Sequence, residues 1–410
     1  MADITIDATA AASHTPVASH RTLVWTSATV GYYFYVDSDL DFKYTKTSDG
    51  GQTWGAVVTI LTGSVQACDV WFDKWTPGIT GTVIHTVYQD SNNLYYRSLD
   101  TNGDSLGTEV TVINGGVGNN DPQCSVVKAQ GGNLYAFWSQ NDGATFVWNF
   151  ERSTDAGATF GARSVTGFDE GDNDFAFLVP ADTSDNQDIA AIFIDRTANA
   201  ISVKMHDDSA NTWTETAIAA LIDHASTVSR DQAAASVRLS DKHVILAFHN
   251  DRDTATADLK AYDLTLNSIT TPTVTAKTDI ATDKDDMQSV VVTIDQNTDD
   301  IYVGYIGKSD GSETLGTSVG IYYAKSTDDA ATWESVNNVY SDTVTNNNAT
   351  ALYGSLGGTN FLVAFAWFED TDDDIFYNYA NRVTIAISLL PIAGMSELLQ
   401  SMNAGASLRY

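Results

Sequence analysis

Basic residues are scarce in this chain. Its 410 residues include 21 lysines and arginines against 53 aspartates and glutamates, which gives a formal net charge of −32 at pH 7. A surface this negative repels nucleic-acid phosphates and anionic membranes, and it favours solubility. We therefore expect no nucleic-acid partner. Two interpretations of the excess of acidic residues stay open, namely adaptation to a saline medium and cation binding.

Cysteines and long apolar runs are nearly absent. The two cysteines, Cys68 and Cys124, fall at equivalent places in successive units, and we expect small buried side chains there rather than a disulfide. No stretch is apolar enough to span a bilayer. The N-terminus has neither a basic region nor an apolar core, so we expect no secretory signal.

An eight-residue pattern recurs along the chain. Residues 47–54 (TSDGGQTW), 153–160 (STDAGATF) and 326–333 (STDDAATW) share the pattern S/T-x-D-x-G-x-T-W/F. In the third copy Ala330 replaces the glycine. Aspartate can accept hydrogen bonds from the amides of its own turn, and glycine supplies a positive φ. A turn that recurs at wide spacing indicates a repeat architecture.

This pattern resembles the Asp box of the sialidase-like, or BNR-repeat, β-propellers. The resemblance implies that the boxes are structural turns between the third and fourth strands of a blade, on the face away from the ligand site. The residues that receive this role are Ser48, Asp49, Gly51, Thr53, Trp54, Ser153, Asp155, Gly157, Thr159, Phe160, Ser326, Asp328, Thr332 and Trp333.

The spacing of the boxes and the strands before them predicts the fold. Aspartates at box positions stand 51 to 65 residues apart, and seven apolar segments have the composition of second strands. We predict an all-β protein, a single β-propeller of four-stranded antiparallel blades with seven blades, or six as the alternative. The propeller spans residues 21–387. The arm at residues 1–20 carries a strand, 3–7, that is expected to close the ring beside residues 383–385.

The sialidase catalytic residues are not recognisable. Sialidases of this family clamp a carboxylate with three arginines, the first in an Arg-Ile-Pro motif, and use a tyrosine nucleophile activated by a glutamate. This chain lacks that motif; its only early arginine is Arg21, while Arg230, Arg238 and Arg252 fall in one repeat. A clamp needs arginines from several blades. We expect no catalysis, with a two-carboxylate glycosidase as the alternative.

The face opposite the boxes is predicted to be rich in aspartate. Hard oxygen ligands of this kind suit Ca²⁺, although a solvated acidic rim is the other interpretation, and no stretch matches an EF-hand loop. The aspartates of this candidate ligand face are Asp37, Asp39, Asp90, Asp174, Asp231, Asp251, Asp286 and Asp370.

Residues 388–410 follow the repeats. Pro391 suits a first helical turn, and the apolar residues after it have helical spacing. The predicted helix packs on its own propeller or docks on another subunit. Its apolar residues are Ile392, Met395, Leu398, Leu399 and Met402.

Structural boxes without an arginine clamp favour a non-catalytic structural or binding propeller. The acidic composition and the strand-like opening resemble bacteriophage virion proteins. This resemblance predicts a capsid or tail component of the virion, a homo-oligomer that docks on other virion proteins and contacts a host glycan. The alternatives are a secreted, extracellular glycoside hydrolase of the sialidase-like class and an intracellular interaction scaffold. Ca²⁺ is the one cofactor expected, if the acidic face binds a cation.

Overall fold

The computed structural model describes residues 4–7, 21–115, 123–141, 146–168, 174–195, 198–221, 233–250, 259–281, 288–307, 320–334, 338–339, 349–355, 357–358, 363–369 and 374–381. Within these residues the chain forms thirty strands, numbered β1 to β30 in chain order, and one short 3-10 helix at Asp73–Trp75. None of the helical segments in this part of the chain is long and apolar enough to cross a membrane.

The strands form seven antiparallel sheets, numbered here along the chain. Sheet 1 has β2 (Leu23–Trp25), β3 (Gly31–Val36), β4 (Phe42–Thr47) and β5 (Val58–Leu61). Sheet 2 has β6 (Ala67–Phe72), β7 (Val83–Gln89), β8 (Asn93–Asp100), β9 (Ser105–Leu106) and β10 (Val110–Asn114). Sheet 3 has β11 (Cys124–Lys128), β12 (Leu134–Asn141), β13 (Phe146–Ser153) and β14 (Gly161–Ala162).

The remaining four sheets repeat this order. Sheet 4 has β15 (Phe175–Pro180), β16 (Ile189–Asp195), β17 (Ala200–Asp207) and β18 (Thr212–Ala220). Sheet 5 has β19 (Ala233–Val237), β20 (Val244–His249), β21 (Leu259–Thr265) and β22 (Thr273–Ala276). Sheet 6 has β23 (Gln288–Asp295), β24 (Asp300–Gly307), β25 (Gly320–Ser326), β26 (Asn338–Val339) and, paired parallel to β23, β28 (Gly357–Gly358). Sheet 7 has β27 (Ala349–Gly354), β29 (Val363–Glu369), β30 (Asp374–Asn381) and β1 (Ile4–Asp7).

Each sheet packs against its neighbours through the first strands. β6 lies against β11, and β11 against β15; β19 lies against β23, β23 against β27, and β27 against β2. β3 contacts β6, and the amide of Asp182 donates to the carbonyl of Leu266 at 2.8 Å between sheets 4 and 5. The prediction of an all-β propeller of four-stranded antiparallel sheets is confirmed, although sheets 2 and 6 carry a short fifth strand.

The second strands form the core of each sheet because they are covered on both faces. Every residue of β3 and β20 is buried, as is all of β16 except its last residue. This burial agrees with the dense apolar composition of the second strands, since a sheet between two neighbours has no solvent-facing side. Cys68 and Cys124 form no disulfide bond and are buried, as predicted.

The N-terminal strand joins the last sheet. Ile4 pairs with Tyr377 and Thr5 with Phe376, so β1 is the outermost strand of sheet 7. The partner that the sequence suggested, residues 383–385, lies outside the described residues, and the observed partner is β30. The predicted helical tail, residues 388–410, lies outside them too.

Candidate functional site

The first Asp box is closed by three side chains. Thr47 Oγ1 donates to Asp49 Oδ1 at 2.8 Å and accepts from the amide of Gly51 at 2.9 Å. Thr53 donates to Asp49 through its amide at 3.0 Å and through Oγ1 at 2.6 Å. The assignment of Ser48 was wrong by one position, because Thr47 stands two residues before the aspartate and carries the bonding hydroxyl.

The other two boxes repeat these bonds. Ser153 Oγ donates to Asp155 at 2.8 Å, and Ser326 Oγ donates to Asp328 at 2.9 Å. Thr159 Oγ1 and Thr332 Oγ1 each donate to their aspartate at 2.6 Å. Hydrogen bonds from Thr159 and Ser153 lower the pKa of Asp155 to about 2. These aspartates therefore hold their own turns.

Each box has two consecutive residues with a left-handed backbone. These pairs are Gly50 and Gly51 with φ of 74° and 80°, Ala156 and Gly157 with 57° and 91°, and Asp329 and Ala330 with 63° and 57°. Glycine is the default residue for such a turn. Ala330 shows that the turn also forms without glycine at that position, with its amide bonded to Ser326 Oγ at 2.9 Å.

The boxes also fasten neighbouring sheets together. A Cβ on Gly157 would lie 2.2 Å from the ring of Tyr96, and the rings of Phe160 and Tyr96 are 5.2 Å apart. Trp333 donates its indole N–H to the carbonyl of Thr278 at 2.8 Å, across to sheet 5. The structural role predicted for the box aromatics agrees with these contacts.

Acidic residues next to the box positions bind cations of the preceding sheet. Asp104 accepts from Lys46 Nζ at 2.6 Å, and Asp208 accepts from Arg152 at 2.7 Å. Asp329 pairs with Lys277 Nζ at 2.5 Å and also with Arg238. The box end of the ring is therefore held by ion pairs between sheets.

The opposite end of the sheets, called the far end here, carries the turns between second and third strands and the starts of the first strands. Asp37 accepts from the amides of Asp39 and Asp41 at 3.1 and 2.9 Å and pairs with Lys43. Asp90 accepts from the amides of Asn92 and Asn93 at 2.6 Å. These two aspartates therefore form turns.

The rest of the predicted acidic face divides into two groups. Asp39 is exposed, while Asp174 is buried and its backbone carbonyl accepts from Gln123 Nε2 at 2.8 Å. In the described part of the chain no three His, Cys, Asp or Glu side chains are grouped to hold a metal ion. The other four, Asp231, Asp251, Asp286 and Asp370, lie outside the described residues, as do the tail residues Ile392, Met395, Leu398, Leu399 and Met402.

Arg21 connects sheet 1 to the first strands of sheets 2, 3 and 4. Its side chain is buried, pairs with Asp69 of β6 through Nε at 2.9 Å and through Nη2, and lies 4.8 Å from the ring of Trp71. It also donates to Ser125 Oγ at 2.8 Å and to the carbonyl of Leu178 at 2.7 Å. The early arginine is therefore an internal crosslink from sheet 1 to sheets 2, 3 and 4.

The described arginines are all engaged within the protein. Besides Arg21, Arg97 donates to two backbone carbonyls, Arg152 and Arg163 pair with Asp208, and Arg238 pairs with Asp241, Asp263 and Asp329. None of these five is available to clamp a carboxylate. Arg230 and Arg252 lie outside the described residues.

A buried polar chain lies at the box end between sheets 2 and 3. Asp73 Oδ1 accepts from Lys128 Nζ at 2.5 Å and contacts His85 Nε2 at 2.9 Å, and His85 Nδ1 contacts the Tyr96 hydroxyl at 2.7 Å. Burial raises the pKa of Asp73, but the bonds from His85 and Lys128 outweigh it and bring the pKa to about 2. Burial lowers the pKa of His85. Both ring nitrogens of His85 therefore have partners inside the protein.

Three side chains with unpaired polar atoms face the seam between sheets 2 and 3. Gln89, which is 0% exposed, has no partner for either amide atom, and Trp138, 1% exposed, has none for its indole N–H. Glu151, 9% exposed, has no partner for Oε2, and burial raises the pKa of its carboxyl to about 7. Buried polar groups are normally paired, so each exception needs an explanation.

The strand registers place these side chains on facing sides of the seam. Gln89 lies on the same face of β7 as Val87 and His85. This face is turned towards sheet 3, because His85 contacts Asp73, which binds Lys128 of sheet 3. Trp138 pairs with Cys124, on the same face of sheet 3 as Lys128, and Cys124 Sγ lies 3.9 Å from the carbonyl of Val87. Gln89 and Trp138 lie towards the far end. This group, called the seam site here, was not predicted.

Known proteins resemble the chain only in fold. No protein-family model matches it, and no curated protein matches it. Among solved structures, a polysaccharide lyase, the PL25 ulvan lyase bound to -[GlcA(1-4)Rha3S]-, is similar over 93% of this chain and 95% of its own, at 9% identity and a TM-score of 0.54.

Sialidases are also among the solved structures to which the chain is similar. The NanB sialidase from Streptococcus pneumoniae is similar over 86% of this chain and 84% of its own chain, at 9% identity and a TM-score of 0.44. The Trypanosoma rangeli sialidase in complex with sialic acid is similar over 76% of this chain and 55% of its own chain, at 12% identity and a TM-score of 0.45. Identities and TM-scores this low leave the activity of this chain open.

Proposed function

We propose that the protein is a glycan-binding β-propeller whose ligand contacts the far end of the sheets. The observation that carries the proposal is the seam site, where Gln89 and Trp138 have buried hydrogen-bonding atoms without protein partners. Such atoms cost free energy unless something satisfies them, because burial removes their bonds to water. A ligand rich in hydroxyl groups satisfies donors and acceptors alike.

The similarity to the ulvan lyase supports this choice. That protein is bound to -[GlcA(1-4)Rha3S]-, and its propeller matches nearly the whole of this chain. The likeness favours the glycan-active alternative over a virion component. The virion location, the homo-oligomer, the virion partners, the docking tail and the Ca²⁺ site stay predictions.

We also propose that the seven sheets are the blades of one ring. In the contacts described above each sheet has two neighbours, and sheet 7 meets sheet 1 through β27 and β2. A six-bladed ring would leave one sheet outside that order. The pairing of β1 with β30 then joins the two ends of the chain within one blade. A cryo-EM map that counts six blades would refute this architecture.

Native gel electrophoresis in the presence of soluble polysaccharides tests the proposed function. The protein carries a net charge of −32 and therefore migrates rapidly at pH 8, so binding to a neutral polymer appears as retardation. We expect retardation by at least one polysaccharide of a broad panel and none by a protein control of similar charge. Unchanged mobility with every polymer, together with no binding on a glycan array, would reject glycan binding.

Catalysis on the glycan is a second candidate function, and Glu151 favours it. A carboxyl kept protonated near neutral pH by burial is typical of a general acid, and burial raises the pKa of Glu151 to about 7. Incubation with the polysaccharides that bind, followed by assays of reducing ends and unsaturated products, tests this function. Product formed by the wild type but not by Glu151→Gln would support it, whereas equal product from both would exclude Glu151 as the acid.

A further inference from the structure

We propose that the seam site selects neutral polysaccharides and that Gln89 and Trp138 bind their hydroxyl groups. This inference rests on the proposed function and adds the class of substrate. It differs from the anionic ligands of the lyase and sialidase described above, because the described part of this chain offers amide, indole and carboxyl groups and no free cation at the seam.

The chemistry of the two side chains fits a hydroxylated ligand. The Gln89 amide offers two N–H donors and a carbonyl acceptor, all without a protein partner, and the Trp138 indole offers one further donor. A sugar hydroxyl both donates and accepts, so adjacent hydroxyl groups can satisfy an amide on both sides. An aromatic side chain with a polar atom suits a ligand that has apolar and polar faces.

The charges at the seam disfavour an anionic ligand. Glu151 faces the seam from β13. It pairs with Ala136 of β12, and Trp138 lies two residues further along that strand. Two described cations that link sheets 2 and 3 are already paired, Lys128 with Asp73 and Arg21 with Asp69. An added carboxylate or sulfate would thus meet like charge and no unpaired counterion among the described residues, in a protein of net charge −32.

Access to the seam is through its far end. The unpaired atoms have almost no contact with solvent, so a sugar reaches them only when the far ends of sheets 2 and 3 part. Binding that requires such a change has a lower association rate than docking on a preformed surface. Slow association is therefore part of the proposal.

The experiment compares polymers and variants by affinity electrophoresis of the full chain at pH 8. The neutral polymers are laminarin, arabinan and galactomannan, and the anionic ones are polygalacturonate and ulvan. The variants are Gln89→Leu, which removes the amide, and Trp138→Phe, which removes the indole N–H. Gln52→Leu is the matched control, because Gln52 is an exposed glutamine at the box end.

We expect retardation by a neutral polymer, a loss of affinity of about tenfold or more for Gln89→Leu, a smaller loss for Trp138→Phe and no change for Gln52→Leu. Gln89→Leu should also melt at a higher temperature, because it removes unpaired buried atoms. Weaker binding by a more stable variant separates a ligand contact from a folding defect.

The outcomes distinguish the two proposals. Tight binding of polygalacturonate or ulvan without binding of a neutral polymer, or wild-type affinity in both seam variants, overturns the inference and leaves glycan binding in place. Absence of retardation by all polymers rejects the proposed function, and the inference falls with it.

Discussion

Replacing Glu151 by glutamine should stabilise the protein above neutral pH and leave it unchanged in acid. The carboxyl is 9% exposed and its Oε2 has no partner, so burial acts on it without a compensating cation. Burial raises its pKa from 4.5 to about 7. The folded state therefore binds a proton more tightly than the unfolded state does.

The sign of the pH dependence follows from this difference. Below pH 4.5 the Glu151 carboxyl is protonated in both states and costs nothing. Between pH 4.5 and about 7 the unfolded state loses its proton first, so stability falls as the pH rises. Each pKa unit is worth about 1.4 kcal/mol, so the full cost is about 3 kcal/mol. Glutamine at position 151 does not titrate and does not incur this cost.

Urea unfolding followed by tryptophan fluorescence measures the effect. The free energy of unfolding of Glu151→Gln minus that of the wild type should be near zero at pH 4.5 and rise to about 3 kcal/mol by pH 8. Glu334→Gln, at an exposed position, controls for the change of net charge. A difference that stays constant from pH 4.5 to 8 would show that Glu151 is not a buried, unpaired acid.

Three further substitutions test the architecture by urea unfolding at pH 7. Thr47→Ala should cost about 1 kcal/mol, because the amide of Gly51 loses its acceptor, while Ser48→Ala should cost nothing measurable; the reverse order would restore the original assignment. Gly157→Ala should cost about 2 kcal/mol or more, from its left-handed φ of 91° and the tyrosine ring beside it, and a neutral result would mean that the box does not pack on sheet 2. Asp69→Asn should cost about 3 kcal/mol or more, since it leaves a buried guanidinium unpaired, and a cost below about 1 kcal/mol would argue against the crosslink.

The fold was predictable because its signals are local. An Asp box closes on itself within eight residues, so its aspartate, hydroxyl and glycine appear together in the sequence. Second strands carry a dense apolar pattern because both faces are covered. The mistake at Ser48 arose within this local signal, since both Ser48 and Thr47 bear a hydroxyl and only the two-residue spacing to Asp49 distinguishes them.

The acidic face could not be resolved in the same way. The oxygens with which Asp37 and Asp90 accept turn amides are the same oxygens that a calcium ion would take. A sequence with many aspartates at turns therefore predicts a metal face and a set of closed turns equally well. In the described residues the turns account for both of these aspartates.

The crosslink and the seam site were invisible in the sequence because they depend on long-range packing. Arg21 reaches partners 48, 104 and 157 residues away, and no local pattern marks them. Gln89 is the last residue of β7 and precedes a turn, a common place for a polar residue. Only the register that turns it towards sheet 3, and the absence of a partner there, sets it apart.

The shortage of cations links these features. The chain has 21 basic residues against 53 acidic ones, and it places its described arginines and several lysines where two sheets meet. Lys46, Arg152 and Lys277 each bind an acid from the next sheet at the box end, and Arg21 binds Asp69 in the first strand of sheet 2. Those cations are then unable to bind an anionic ligand without weakening a seam. Among the described residues, the seam site then offers a ligand the uncharged Gln89 amide and Trp138 indole, which is the chemistry that we propose for binding neutral sugars.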